Sequence, residues 1–231
     1  MAEAGRSLRN FYIVLGAVAL VGIGLIIRAA IGTKSPLLVS ADCSGPPLGA
    51  AVAQGHALGP DSAPLQVTEY ADFECPACAR FAIVTMPDVI QRLIPSGKLR
   101  WVWLDYPLGQ HVNSPIAHVA AACAADQGRF WEMEYALYSH QDDWFEDRNP
   151  DSKIRDYAKS IGLQADSFRV CLTERRHWTT IQANRCTGEK LALEGTPTFF
   201  LNGRLLTYTP AFDDLSRMVD SVGAKAPARA K

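Results

Sequence analysis

The fold of this chain is decided by the stretch Asp72-Phe73-Glu74-Cys75-Pro76-Ala77-Cys78. The run before it, Leu65 to Ala71, alternates apolar and polar residues and predicts a strand. The run after it, Ala79 to Leu93, carries apolar residues at helical spacing. Cys75 is therefore expected at a strand-to-helix turn, where free N–H groups and the positive end of the helix dipole face its thiolate. A C-x-x-C motif in this context predicts a redox-active cysteine pair.

The same two cysteines could instead be half of a zinc site. Such a site needs a second pair of ligands, and the sequence has no further C-x-x-C motif and no pair of histidines at zinc-finger spacing. The redox interpretation is therefore preferred, and we expect neither a metal nor a bound cofactor. The charge balance, 23 basic against 24 acidic residues, gives no basic surface for a nucleic-acid partner.

The N-terminus carries a long apolar segment. Phe11 to Ile27 has no charged residue, and at about 1.5 Å per residue it would span roughly 25 Å, close to the hydrocarbon core of a membrane. We expect residues 1–32 to form an N-terminal tail and a transmembrane anchor. A cleaved signal peptide is the alternative, although Arg28 occupies a position where a cleavage site wants a small residue.

The rest of the chain divides by composition and periodicity. Residues 33–60, rich in Ser, Gly, Pro and Ala, predict a tether. A folded domain is expected over residues 61–223, with a helical insertion at about 112–193. Lys98 to Tyr106 predicts a second strand, and Asn202-Gly203 between two apolar runs predicts a hairpin before a last helix. Residues 224–231 form an alanine-rich basic tail that we expect to be disordered.

This order of elements, βαβ, helices, then ββα, describes an α/β thioredoxin-like fold with an all-helical insertion. The chain resembles the DsbA-like thiol–disulfide oxidoreductases of the thioredoxin superfamily, in particular their membrane-tethered bacterial members. The resemblance covers residues 58 to 222. The motifs that carry it are Val67-Thr68-Glu69-Tyr70-Ala71-Asp72-Phe73-Glu74-Cys75-Pro76-Ala77-Cys78, Asp105-Tyr106-Pro107-Leu108 with His111, Gly128-Arg129-Phe130-Trp131-Glu132, and Gly195-Thr196-Pro197-Thr198-Phe199-Phe200.

The two thiols have different expected roles. Cys75, at the exposed start of the helix, is expected to be the reactive sulfur, and Cys78, one turn further and partly buried, the resolving thiol. Pro76 and Ala77 complete the active-site motif. A DsbA-type oxidase has histidine at the position of Ala77, so the resemblance implies a less oxidising pair here. Glu74 is expected to be a solvated charge that contributes to substrate preference.

The resemblance also implies three catalytic-site residues outside the motif. Pro197 would follow a cis peptide bond that brings the backbone of Thr196 beside Cys75, where it could pair with an extended substrate. The alternative is a trans turn proline at an edge strand. Glu69 would be the buried acid, a proton acceptor that helps to deprotonate the resolving Cys78; a solvent-facing strand residue is the alternative.

Four further cysteines remain. Cys123 and Cys171 fall on apolar helical faces of the insertion, where they could form a structural disulfide or stay as free buried thiols. A disulfide between Cys43 and Cys186 would tie the tether to the last helix of the insertion. Six cysteines in a chain that enters a membrane favour an oxidising compartment.

The expected function follows from these points. We expect a single-pass protein of the bacterial inner membrane, with its catalytic domain on the periplasmic or extracytoplasmic side. It would exchange the Cys75–Cys78 disulfide with exported proteins that carry cysteine thiols, as an oxidase, as a monomer, and with a membrane redox partner. A reductase or isomerase, or a non-catalytic peptide-binding or chaperone module, are the alternatives. A glutathione transferase of the kappa branch is disfavoured because that branch lacks the second thiol.

Overall fold

The computed structural model describes residues 55–224 together with Leu15, Gly16 and Cys43. Contacts divide the chain into two units, Met1–Leu37 and Leu38–Lys231. In the first unit the two described residues, Leu15 and Gly16, are helical. The predicted membrane anchor otherwise lies outside the described residues, as does most of the predicted C-terminal tail. Within the described part of the chain, no helix is both long and apolar enough to cross a bilayer.

The centre of the second unit is a five-stranded mixed sheet of described residues, with strand order β1-β3-β2-β4-β5. The parallel pair β2 and β3 is joined by the predicted βαβ crossover, and the other neighbours run antiparallel. The βαβ unit and the hairpin turn at Asn202-Gly203 are confirmed. The strands are β1 His56–Leu58, β2 Leu65–Ala71, β3 Leu99–Asp105, β4 Thr198–Leu201 and β5 Arg204–Leu206.

The predicted tether is wrong at its C-terminal end, because residues 56–58 form strand β1. This strand pairs with β3 in the register His56 with Trp103. A side chain at Gly55 would lie 2.7 Å from the Trp103 carbonyl oxygen, so this close approach needs glycine. Three residues are too few to show an alternating pattern, so the sequence carries no signal for this strand.

Residues 55–224 contain eight helices besides short irregular helical turns. Helix α1 follows β2, and after Thr85 it continues as short irregular helical turns to Ser96. The predicted helical insertion is confirmed as six helices between β3 and β4, and a last helix covers the sheet. The bounds are α1 Pro76–Val84, α2 Ser114–Ala125, α3 Phe130–Ser139, α4 Gln141–Trp144, α5 Asp151–Ser160, α6 Ala165–Glu174, α7 Trp178–Lys190 and α8 Phe212–Ala224.

One face of the sheet packs on α1 and α8 through a cluster of aromatic side chains. Trp101 of β3 stacks on Phe81 of α1 with ring centroids 5.6 Å apart, and Phe199 of β4 lies 4.8 Å from Phe81. All three are buried, and each buries roughly 150–250 Å² of surface, so they dominate the packing that holds α1 on the sheet. The N-terminus of α1 is thereby held at the carboxyl ends of β2 and β3.

Both further cysteine pairs form disulfides. Cys123 of α2 is bonded to Cys171 of α6, as predicted, and both sulfurs are buried in the insertion. Cys43 is bonded to Cys186 of α7, which confirms the second pairing and ties the segment before β1 to the insertion. Cys75 and Cys78 are the free cysteines of the described residues.

Candidate active site

The C-x-x-C motif lies where β2 gives way to α1. Cys75 is the N-cap of α1, and Pro76 occupies the first turn, where its missing N–H leaves no hydrogen bond unmade. Cys78 is fully buried one turn further. The expectation of an exposed Cys75 is wrong, because its side chain is only 7% exposed, whereas Pro76 and Ala77 are exposed. A substrate sulfur therefore has to approach past these two small side chains.

The loop before β4 closes over the reactive sulfur. The Thr196–Pro197 peptide bond is cis, as predicted. The Cys75 thiol donates a hydrogen bond to the Thr196 carbonyl oxygen, with an Sγ–O distance of 3.2 Å. The buried Thr196 hydroxyl has no hydrogen-bond partner within the described part of the chain. The structure thus brings together residues that are 121 positions apart in the sequence.

The surroundings of Cys75 favour its thiolate. They lower the pKa of Cys75 from 9.0 to about 6. The largest cause is a hydrogen bond from the Cys78 thiol, and burial opposes it. The Thr196 hydroxyl and the N–H groups of Cys78 and Ala77 add smaller stabilisation. As a neutral thiol Cys75 donates to the Thr196 carbonyl; as a thiolate it accepts from the Thr196 hydroxyl, which otherwise has no partner.

We expect the thiolate of Cys75 to titrate near pH 6 in the reduced chain, because hydrogen bonds stabilise the charged form. Thr196→Val keeps the shape of the side chain but removes the hydroxyl donor, and should raise this midpoint by about one pH unit. Ultraviolet absorbance of the thiolate measures it. Thr207→Val, at an exposed position of the neighbouring hairpin, is the matched control. An unchanged midpoint in Thr196→Val would contradict the role of the hydroxyl.

The buried pair Cys78 and Glu69 is held in its protonated form. Burial is the largest cause that raises the pKa of Cys78, followed by its hydrogen bond to Cys75. Burial likewise raises the pKa of Glu69 to about 8, although Trp101 Nε1 donates to its Oε2 over 3.0 Å. The charge of Glu69 contributes to the raised pKa of Cys78. The prediction that Glu69 is buried is confirmed.

The prediction that Glu74 is solvated is wrong. Its side chain is buried, and Oε2 accepts hydrogen bonds from the N–H groups of Asn113 (3.0 Å) and Ser114 (2.7 Å). These N–H groups belong to the start of α2, where a carboxylate is favoured by the helix dipole. Glu74 therefore fastens the insertion to the motif, and its contacts lie 39 and 40 positions away, beyond what a local pattern can indicate.

Asp72, at the start of the motif, fixes the loop between β2 and α1. Its side chain accepts hydrogen bonds from the N–H groups of Glu74 (2.8 Å) and Leu108 (2.6 Å). His111 Nδ1 lies 2.9 Å from Asp72 Oδ2, and this hydrogen bond is the largest cause that raises the pKa of His111. Cys75 also acts on His111 electrostatically, so the imidazole adds positive charge near the reactive sulfur when it is protonated.

The insertion contributes three polar side chains that the sequence analysis missed. Gln141 Nε2 donates to the carbonyl oxygens of Phe73 (2.6 Å) and Cys75 (3.2 Å), and the Tyr138 hydroxyl donates to that of Asp72 (3.3 Å). Glu134 is buried on the same helix. Residues 134 and 138 lie four apart on α3 and share a face of that helix, so a polar pair at helical spacing was the available signal for these two. Gln141 begins the next helix, α4, and has no such signal.

Two clefts flank the site. One, of about 660 Å³, is lined by Pro197, Phe200, Leu205 and Tyr208 beside the hairpin. The other, of about 610 Å³, lies beside Pro76 and is lined among others by Val112 and Phe145. Both clefts are lined by apolar and polar side chains together, among them Glu194 in the first and Asp147 in the second.

Comparison with known proteins agrees with this geometry. The thioredoxin family model matches residues 51–221. A Na⁺/H⁺ antiporter, NhaA 3 of Salinispora tropica, is 38% identical over 175 residues, which cover 75% of this chain but 26% of the antiporter. The chain therefore spans about a quarter of the length of that relative.

Two further relatives match over most of their own length. The probable disulfide bond formation protein D of Bacillus anthracis is 25% identical over 170 residues, 71% of this chain and 76% of that protein. The crystal structure of alpha-DsbA1 from Wolbachia pipientis has the same fold, with a TM-score of 0.66 and 20% identity over 75% of this chain and 93% of that one.

Proposed function

This chain belongs to the thioredoxin family, and on that premise we propose that it is an extracytoplasmic thiol–disulfide oxidase that passes a Cys75–Cys78 disulfide to exported proteins. The observation that carries the proposal is that the pKa values of the two thiols are shifted in opposite directions. The surroundings lower the pKa of Cys75 and raise that of Cys78. A stabilised Cys75 thiolate stabilises the reduced pair, and a pair that is stable when reduced is a good oxidant.

The reaction proceeds in two exchange steps. A substrate thiolate attacks Cys75 Sγ, the Cys75–Cys78 bond breaks, and Cys78 leaves as a thiolate that takes up a proton. A second substrate thiolate then attacks the substrate sulfur of the mixed disulfide, and Cys75 leaves as a thiolate. The substrate loses two electrons to the cysteine pair and gains one disulfide. In the second step the low pKa of Cys75 makes its thiolate a good leaving group.

The site holds the substrate and supplies the proton in this scheme. The backbone of Thr196 lies beside Cys75, where an extended substrate segment could pair with it. Glu69, whose pKa is about 8, is mostly protonated at pH 7 and can give its proton to Cys78 as that sulfur leaves. In the reverse reaction the carboxylate takes the proton back.

Glu69→Gln is expected to slow disulfide transfer at pH 7 by about 10²-fold, because the amide cannot donate an acidic proton. The advantage of Glu69 should be present below pH 8 and lost above it, where the carboxyl is ionised. Stopped-flow measurement of the transfer rate against pH tests this. Glu132→Gln, on the exposed face of α3, is the matched control. Equal rates for Glu69→Gln and the parent chain across this range would remove Glu69 from the mechanism.

The reduction potential decides between oxidase and reductase. A Cys75 pKa of about 6 lies between about 7 for thioredoxin and about 3.5 for DsbA. We expect a potential between theirs, about −270 mV and about −120 mV, from equilibration with glutathione buffers. Ala77→His adds a donor beside the sulfur and should make the pair more oxidising. A value as low as that of thioredoxin would overturn the oxidase assignment and favour a reductase.

The proposal includes a location and partners. We infer that residues 1–32 anchor the chain in the inner membrane, that the domain lies on the extracytoplasmic side, and that a membrane redox partner reoxidises the pair. The uncharged run Phe11 to Ile27 supports a membrane anchor. The similarity to part of a Na⁺/H⁺ antiporter supports a location at a membrane. The two disulfides outside the motif support an oxidising compartment. We infer a monomer.

A further inference from the structure

A second group of metal-ligating side chains lies in the helical insertion. Cys123 Sγ, Cys171 Sγ and a ring nitrogen of His177 all lie within 4.8 Å of one another. Within the residues that the structure describes, no other three potential ligands converge in this way. They come from α2, α6 and the N-cap of α7, and they share no residue with the Cys75–Cys78 motif. Their spacing in the sequence matches no zinc motif, so no local pattern indicates this group.

Asp126 supplies a fourth donor at the same place. Its Oδ2 lies 2.9 Å from His177 Nε2 and 3.7 Å from Cys171 Sγ. Two thiolates, one imidazole and one carboxylate form a ligand set that suits Zn²⁺, which prefers four ligands in a tetrahedron. Two sulfurs on one zinc, each at about 2.3 Å, stand about 3.8 Å apart. Opening the disulfide and moving each sulfur by about 1 Å would therefore create the site.

We propose that the reduced insertion binds one Zn²⁺ through Cys123, Cys171, His177 and Asp126, so that metal and disulfide are alternative links between α2 and α6. A thiol reductant donates two electrons and two protons to the disulfide and is itself oxidised to a disulfide. The two thiols that result lose their protons to water as they bind the metal. An oxidant of the disulfide class reverses the exchange and releases the ion.

The surroundings provide access and charge balance. A cavity of about 210 Å³ lies beside the site and is lined by Asp126, His177 and Asp105 among others, but by neither cysteine. The sulfurs are buried, whereas the side chains of His177 and Asp126 are 28% and 39% exposed, so the ion can enter on their side. Two thiolates and a carboxylate exceed the charge of Zn²⁺ by one, and Arg176, 3.9 Å from Asp126, offsets that excess.

The test uses the full chain with Cys75→Ser and Cys78→Ser, reduced by a water-soluble phosphine that adds no competing thiol. Co²⁺ is the spectroscopic probe. We expect one Co²⁺ per reduced chain, with sulfur-to-metal charge transfer and the visible bands of a tetrahedral site, and displacement by Zn²⁺. The oxidised chain should bind none, since the disulfide leaves no thiolate. Circular dichroism follows whether the reduced chain is folded, with and without Zn²⁺.

Further variants identify the ligands. His177→Ala and Asp126→Ala should each lower the Zn²⁺ affinity at least about tenfold. His140→Ala, whose imidazole bonds to the Ala136 carbonyl, should not. Binding should survive Cys43→Ser with Cys186→Ser, which removes the other reducible pair.

Four outcomes would overturn the proposal. The first is that Co²⁺ binding persists when Cys123 and Cys171 are both replaced by alanine, and the second is equal binding by the oxidised chain. The third is a folded reduced chain that binds no metal. The fourth is a reduced chain that unfolds and that Zn²⁺ does not refold. Refolding by Zn²⁺ would support the proposal, because metal binding would then replace the lost link.

Discussion

Cys75→Ser is expected to abolish disulfide transfer, with a loss of at least about 10³-fold, because a hydroxyl can neither form the disulfide nor leave as a stable anion. Oxidation of a reduced peptide with two cysteines by the oxidised chain measures the rate. Ala165→Ser, which adds a hydroxyl at an exposed position outside the motif, is the control and should stay close to the parent rate. A loss confined to Cys75→Ser is therefore a loss of chemistry at the sulfur.

Cys78→Ser should behave differently from Cys75→Ser. Cys75 can still form a mixed disulfide, which now lacks its internal resolving thiol, so mixed disulfides with small thiols should accumulate. Full function of Cys75→Ser in the cell would contradict the enzyme proposal. It would favour a peptide-binding module that uses the clefts beside Pro76 and Pro197 without exchanging disulfides.

Removing the Cys123–Cys171 disulfide should produce a large loss of stability. The bond closes a loop with a sequence separation of 48, and the entropy of closing such a loop in the unfolded chain corresponds to about 4 kcal/mol. Both residues are buried, so Cys123→Ala with Cys171→Ala is preferred to serine, whose hydroxyls would lack partners. Denaturant unfolding followed by circular dichroism measures the loss in free energy of unfolding.

The active-site pair serves as the internal control in this experiment. The titration midpoint of Cys75 should be unchanged in the double alanine variant, because Cys123 and Cys171 are not among the groups that shift its pKa. A loss of stability below about 1 kcal/mol would indicate that the two cysteines are free buried thiols in solution. That was the alternative left open by the sequence.

Local patterns predicted the parts of the fold that depend on neighbours in the chain. The alternation of Leu65 to Ala71 and the Asn202-Gly203 turn each act within a few residues, so the sequence indicates them directly. The C-x-x-C motif is of the same kind, since Pro76 starts the helix that aims N–H groups at Cys75. The resemblance added the cis peptide bond before Pro197 and the buried Glu69, which periodicity could not supply.

The position of Glu74 shows where such reasoning stops. A charged residue next to an active-site cysteine is expected in solvent, because burying a carboxylate is costly unless it is hydrogen-bonded. The N–H groups of Asn113 and Ser114 provide that compensation, but only after the insertion has packed against the motif. Gln141 was missed for the same reason, since its partners are carbonyl oxygens 66 and 68 positions away.

By itself, the sequence determined the chemistry of this protein: two thiols at a strand-to-helix turn, in a chain built for one α/β domain with a helical insertion. Only the tertiary structure decided how the two sulfurs differ. The pKa of Cys75 falls because Cys78 and Thr196 donate hydrogen bonds to its thiolate, and that of Cys78 rises mainly because it is buried. Burial and long-range hydrogen bonds exist only once the sheet, the insertion and the Thr196–Pro197 loop have packed together, so no local pattern records them.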